Sequence, residues 1–263
     1  MRRMLTVLRF SLRELVRSRW IAAYALFFAA AGWAVFYFGE DPDQAAASVL
    51  DLVLLVVPLV SLIVSVLYFY NSREYAELLL TQPISRRTVF AGQYLGLSVS
   101  LAVAFAVGLS IPFLWYGARN GAQAGTLLLL LLAGLFLTLI FVALAFLISV
   151  GTENRLKALG GALMLWLFFA VIYDGLLLVI IMAFPSYQLG QPLVGLSLLN
   201  PLDMARILIL LRLDIAALMG YTGAVFQQFF GAARGLVIAL AALSLWTLLP
   251  IVLGARAYAR RDF

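Results

Sequence analysis

The chain has 263 residues, of which 65% are hydrophobic and only 11% charged, with a formal net charge of +6, no cysteine and no histidine. A water-soluble domain carries about 25% charged residues, so lipid must be the solvent for much of this chain. The missing thiols and imidazoles exclude disulfides, thiolate nucleophiles, imidazole bases and the commonest transition-metal ligands.

Residues 2–18 read as an amphipathic helix. Leu5, Leu8, Leu12 and Leu15 recur at spacings of three and four, and Arg9, Arg13 and Arg17 flank them. Such a helix lies in the cytoplasmic headgroup layer, apolar face down. Six apolar helical stretches follow, at residues 20–39, 49–70, 94–117, 126–150, 159–184 and 235–255. Each is near or above the ~20 residues needed to cross ~30 Å of hydrocarbon. Ten-residue segments of alternating hydrophobicity are absent, which argues against a transmembrane β-barrel. The first stretch is full span length with no small-residue cleavage site after it, so a first span is expected rather than a cleaved leader.

Between the second and third spans stands a polar interruption, residues 71–90. Asn71 with Glu74 three residues on reads as a capping box. Tyr75, Leu78 and Leu79 then share a face, Gln82-Pro83 stops the helix, and Ser85 caps the next one. An apolar face on so short a connector suits contact with a partner better than solvation. Gly92 and Gly96 form a small-xxx-small pair at the head of the third span, read as ordinary close packing.

Lys and Arg set the orientation. Fourteen of the eighteen basic residues fall in the N-terminal segment, residues 71–93, residues 151–158 and the C-terminus. The opposite side opens with Glu40, Asp41 and Asp43. The positive-inside rule puts both termini in the cytoplasm of a multi-pass inner-membrane protein. The same asymmetry accounts for the positive net charge without a nucleic-acid partner.

Further along, Asp174 is an intramembrane carboxylate, about 15 Å from the outer end of its span. Such a group is either functional or paired with a Tyr, an Arg or water. Asp51 is expected to be wet at the outer edge of the second span. Residues 185–234 read as an outer helical region lying at or dipping into the membrane surface. In it Asn200 is an N-cap, Pro201 the first helical residue and Asp203 a first-turn acid. That helix is expected to run to about Met219 and to break at Gly220-Tyr-Thr-Gly223. The domain division is thus an interfacial helix at 1–19 and one six-helix membrane domain at 20–263.

Chemistry of its own is not expected. There is no GxxxxGK[ST] loop, and Lys157 is the only lysine. No catalytic residue, metal site or bound cofactor is assigned. The thioethers of Met164, Met182, Met204 and Met219 are scattered and read as core filling.

With these residues in view, the chain resembles the permease subunit of type-2 ABC exporters. The resemblance lies in six spans with both ends inside, an amphipathic start, and the run Glu74-Tyr-Ala-Glu-Leu-Leu-Leu-Thr-Gln-Pro-Ile-Ser-Arg86. It implies an all-α integral membrane fold and makes residues 71–93 a cytoplasmic coupling hairpin. Glu74, Glu77, Leu78, Leu79, Pro83 and Arg86 would meet a separate ATPase subunit that holds ATP and Mg. Asn200-Pro-Leu-Asp-Met-Ala-Arg206 and Leu218-Met-Gly-Tyr-Thr-Gly-Ala-Val-Phe226 are similar to the permeases of nitrous oxide reductase maturation. That implies a homodimer on a NosF-like ATPase dimer, with a periplasmic β-helical, NosD-like protein docked near Asn200, Asp203, Arg206, Tyr221 and Phe226. Nitrous oxide reductase and a copper chaperone would be reached through the complex, which serves a copper–sulfur centre. Export of a drug, lipid or other hydrophobic solute, and an ATP-independent scaffold or carrier, are the alternatives.

Overall fold

The computed structural model describes residues 19–39, 42–81, 85–117, 124–183, 190–213 and 220–260. The interfacial helix expected at 1–19 therefore lies almost wholly outside the described residues, as do Pro83 and Met219.

Among the described residues every regular element is helical. In chain order they are α1 (Arg19–Phe38), α2 (Pro42–Asn71), α3 (Arg73–Leu80), α4 (Arg86–Pro112, continued as a π-helical turn Phe113–Gly117), α5 (Ala124–Gly151), α6 (Arg155–Leu167), a π-helical turn Phe168–Ile172, α7 (Tyr173–Ala183), α8 (Gly190–Ser197), α9 (Pro201–Leu213) and α10 (Gly220–Arg260). Among the described residues six helices are long and apolar enough to cross a membrane, with α6, the π turn and α7 forming the fifth.

Packing centres on α5, whose Leu130, Ala133, Leu137, Phe141, Ala145 and Phe146 are all buried. Its neighbours include α2, α4, α6, α9 and α10. Without a hydrophobic drive between spans, close approach by small residues does much of the work. A Cβ on Gly32 would sit 2.7 Å from Pro112 Cγ, and one on Gly108 would run into the Ala25 carbonyl. Those two glycines seat α1 against α4.

The region before the last span departs most from expectation. Helix α9 is no surface helix: Leu202, Met204, Ala205, Ile207, Leu208 and Ile209 are buried, and α9 packs on α2, α5 and α10. Nor does Gly220-Tyr-Thr-Gly223 break a helix; it begins α10, which runs 41 residues without interruption. Glycine's helix penalty of about 1 kcal/mol is small against the tertiary contacts of the rest of that helix.

Candidate functional site

Two polar constructions stand out, one at each end of the bundle. The first is the root of the α3 hairpin. Asn71 does not cap α3, as the spacing suggested. It is the last residue of α2, and its Oδ1 accepts from Arg155 Nη1 at 3.3 Å. Ser72 takes the cap position, its carbonyl accepting from Ala76 N at 2.9 Å. The residues on either side are tied as well. Tyr70 donates its hydroxyl to the Thr152 carbonyl at 2.8 Å, and the Gln93 amide donates to Ser72 Oγ at 3.2 Å. Three consecutive residues thus bind the start of α3 to the α5–α6 junction and to α4.

The far end of the hairpin follows the sequence. Ser85 caps α4, its Oγ accepting from Thr88 N at 3.3 Å. Within α3, Ala76 is buried while Glu74 and Leu78 are exposed, Leu78 at 67%. Glu77 and Leu79 lie on the same eight-residue helix. Beneath it sits an aromatic cluster. Phe69, Phe90, Phe146 and Tyr258 meet edge-on or tilted, with ring centroids 5.5–6.3 Å apart.

The second construction is a re-entrant hairpin. Helices α8 and α9 meet at a tight turn, closed by Leu199 N to Leu196 O and Asn200 N to Ser197 O. Asn200 does two jobs there. Its Oδ1 accepts from Leu202 N at 3.0 Å, capping α9 as the sequence foretold, and its Nδ2 donates to the Phe169 carbonyl at 3.1 Å. Phe169 lies in the π turn, where widened helical bonding displaces a carbonyl from its ordinary partner. Phe169 is about halfway along the fifth span of 29 residues, so the tip reaches mid-span depth.

Irregular backbone at that depth is tolerated only where protein satisfies it. It is satisfied here: Tyr173 Oη donates to Leu196 O at 2.6 Å and Trp246 Nε1 to Leu198 O at 3.0 Å. Asn200 is fully buried.

Beside this tip the two acidic readings merge. Arg206 Nη1 meets Asp174 Oδ2 at 3.4 Å, both side chains about 38% exposed. Asp203 is buried, and its Oδ2 finds no hydrogen-bond donor. With Asp51 these residues line a cavity of about 220 Å³. Asp174 is therefore a paired carboxylate. Asn200 and Asp203 are buried within this chain. Tyr221 and Phe226 fall in the first turns of α10.

Several participants were not singled out from sequence: Tyr70, Thr152, Trp246 and the π turn. The usable signal was the polar tip of Tyr and Trp, which seeks a partner wherever the ring is buried.

Comparison with known proteins bears on both ends. The sequence model of the family described as "ABC-2 family transporter protein" matches residues 53–263. A protein of Pseudomonas aeruginosa named "Probable ABC transporter permease protein NosY" is 29% identical over 231 residues, covering 82% of this chain and 84% of that one. A Stutzerimonas stutzeri protein of the same name is 26% identical over 218 residues, covering 77% and 79%.

Proposed function

The chain belongs to the ABC-2 transporter family, a multi-pass permease similar to NosY, and we propose that it couples a separate cytoplasmic ATPase to the maturation of nitrous oxide reductase. The reading rests first on α3. A short helix with an exposed Leu78, held at its start by three side-chain ties, is built to be pushed without melting. Glu74, Glu77, Leu78, Leu79, Pro83 and Arg86 form the contact with the ATPase, which holds ATP and Mg. This chain supplies no catalysis.

The positive-inside asymmetry supports a cytoplasmic hairpin and cytoplasmic termini. The α8–α9 hairpin and the start of α10 then belong to the periplasmic side of the inner membrane. Tyr221 and Phe226, rather than the buried Asn200 and Asp203, carry the contact with a NosD-like β-helical protein. A second copy of this chain completes the pore-side face, which suits the wide exposure of Leu163, Met164, Val171, Leu178 and Met182 along the fifth span.

A second reading, export of a lipid or other hydrophobic solute, is favoured by one observation. An apolar hollow of about 430 Å³ runs between α4 and α5, lined by Val103, Ala106, Leu128 and Leu135. One comparison separates the two. Nitrous oxide reductase made in a strain lacking this subunit should lack its catalytic copper–sulfur centre; a fully loaded enzyme refutes the maturation role. Co-purification tests the ATPase contact. Glu74→Arg should release the ATPase subunit while membrane insertion stays intact, and undiminished association would overturn the assignment.

A further inference from the structure

We propose that α10 is a strut that carries displacement of the α3 hairpin to the far side of the membrane, with Gly254, Tyr258 and Trp246 as its positioning residues. The inference rests on the reading of α3 as the ATPase contact and goes beyond it by naming the route.

The lower clamp is aromatic. Phe69 lies in the last turn of α2 and Phe90 in the second turn of α4, so the two rings flank the hairpin. Tyr258 of α10 is wedged against both, 6.3 and 5.5 Å between centroids, and is 1% exposed. One turn earlier, a Cβ on Gly254 would lie 2.9 Å from Phe90 Cζ. The α10 backbone is therefore seated directly on the ring, with no side chain between to absorb a shift. A displacement of Phe90 must move the helix.

The upper clamp is Trp246, twelve residues away, or about 18 Å along a helix. Its indole N–H holds the Leu198 carbonyl at the re-entrant tip at 3.0 Å, and its ring packs edge-on against Phe169 at 5.5 Å. One helix thus grips both the hairpin root and the turn that Asn200 caps. Helix α5 also touches both ends, through Phe146 and Phe141. The described length of α10 reaches to Gly220, about 39 Å beyond Trp246 at 1.5 Å per residue. Pro250 lies between the clamps and removes one backbone hydrogen bond there. Packed elements move as units between discrete arrangements rather than deforming smoothly, and a continuous helix extends that unit across the bilayer.

The absence of cysteine makes the test direct. A single Ala224→Cys is introduced near the outer end of α10 in the complete complex with its ATPase, reconstituted in nanodiscs. The rate of modification by a membrane-impermeant maleimide is measured with and without ATP and Mg. In the otherwise unaltered chain ATP should change the rate. In Gly254→Leu, and in Trp246→Phe, which breaks the bond to Leu198 without adding volume, the ATPase should stay bound and active while the change is lost. A response kept in both variants overturns the strut. If Gly254→Leu does not fold, Trp246→Phe and Tyr258→Leu decide. A parent complex that hydrolyses ATP but shows no response also overturns it. Failure to bind any ATPase refutes the coupling reading itself, and the strut with it.

Discussion

Replacing Asn200 by alanine removes two bonds at one buried point. Its Oδ1 caps α9 through Leu202 N at 3.0 Å, and its Nδ2 satisfies Phe169 O at 3.1 Å. Loss of an N-cap costs about 1 kcal/mol. A buried carbonyl left without a donor costs about 1–3 kcal/mol more, and Asn200 is 0% exposed, so water has no ready way in. The expected loss is about 2–4 kcal/mol. At roughly 2–4 °C per kcal/mol for a chain of this size, the apparent melting temperature should fall by on the order of 10 °C. The purified protein in detergent provides the assay, followed by the fluorescence of its five tryptophans. Asn200→Asp keeps the cap oxygen, loses the donor to Phe169 and adds a further carboxylate close to Asp203, which already has Asp174 nearby. It should be at least as damaging as alanine, which separates the tether from the cap. A fall within about 2 °C for Asn200→Ala refutes the claim that this residue pins the re-entrant tip to the π turn.

The charges beside that tip should respond unequally. Asp174 and Arg206 are partly exposed, so their direct attraction is worth about 0–1 kcal/mol, and Asp174→Asn should change the melting temperature little. Arg206→Gln should be worse, because it strips the cation from beside buried Asp203, and Arg206→Gln with Asp203→Asn should recover much of the loss. Failure of that recovery would mean Arg206 acts through packing alone. At the other end, Gln93→Leu cuts the tie to Ser72 without touching the exposed face of α3. The ATPase subunit should co-purify as before while its stimulation by this chain falls; unchanged stimulation would show the tie to be idle.

The spans were legible because a lipid solvent leaves an unambiguous mark. Their extent was less so: α2 begins at Pro42 rather than residue 49, because helices continue past the hydrocarbon where polar residues serve as well as apolar ones. Local chemistry was legible where one side chain acts on its own backbone, as at Ser85 and Asn200. It misled at Asn71, where a cap-like spacing lost to a tertiary bond with Arg155, 84 residues away. Asn200, Asp203 and Arg206 looked like surface polar groups because nothing local announces the π turn that receives them. A hydrogen-bond partner 31 residues distant carries no periodic signal.

What the two ends exchange follows from what lies between them. A path for a soft metal through this subunit would need thiolates, imidazoles or grouped thioethers, and the chain has neither Cys nor His. The described methionines are not grouped: Met204 is buried against the core, while Met164 and Met182 are exposed on the fifth span, 18 residues and about 27 Å apart along it. The connection that does run the length of the bundle is mechanical. It passes from the hairpin ties at Tyr70, Asn71 and Ser72 to the aromatic clamp on Tyr258, and along α10 to Trp246 and the re-entrant turn. In that arrangement ATP hydrolysis would be delivered outside as a change of shape offered to a periplasmic partner, and the copper chemistry would be done there. The polar groups placed deepest in the protein, Asn200 and Asp203, then act on the position of a turn instead of on a cargo. That is why their substitution is expected to register first as lost stability and lost response, with no change in metal affinity of this chain.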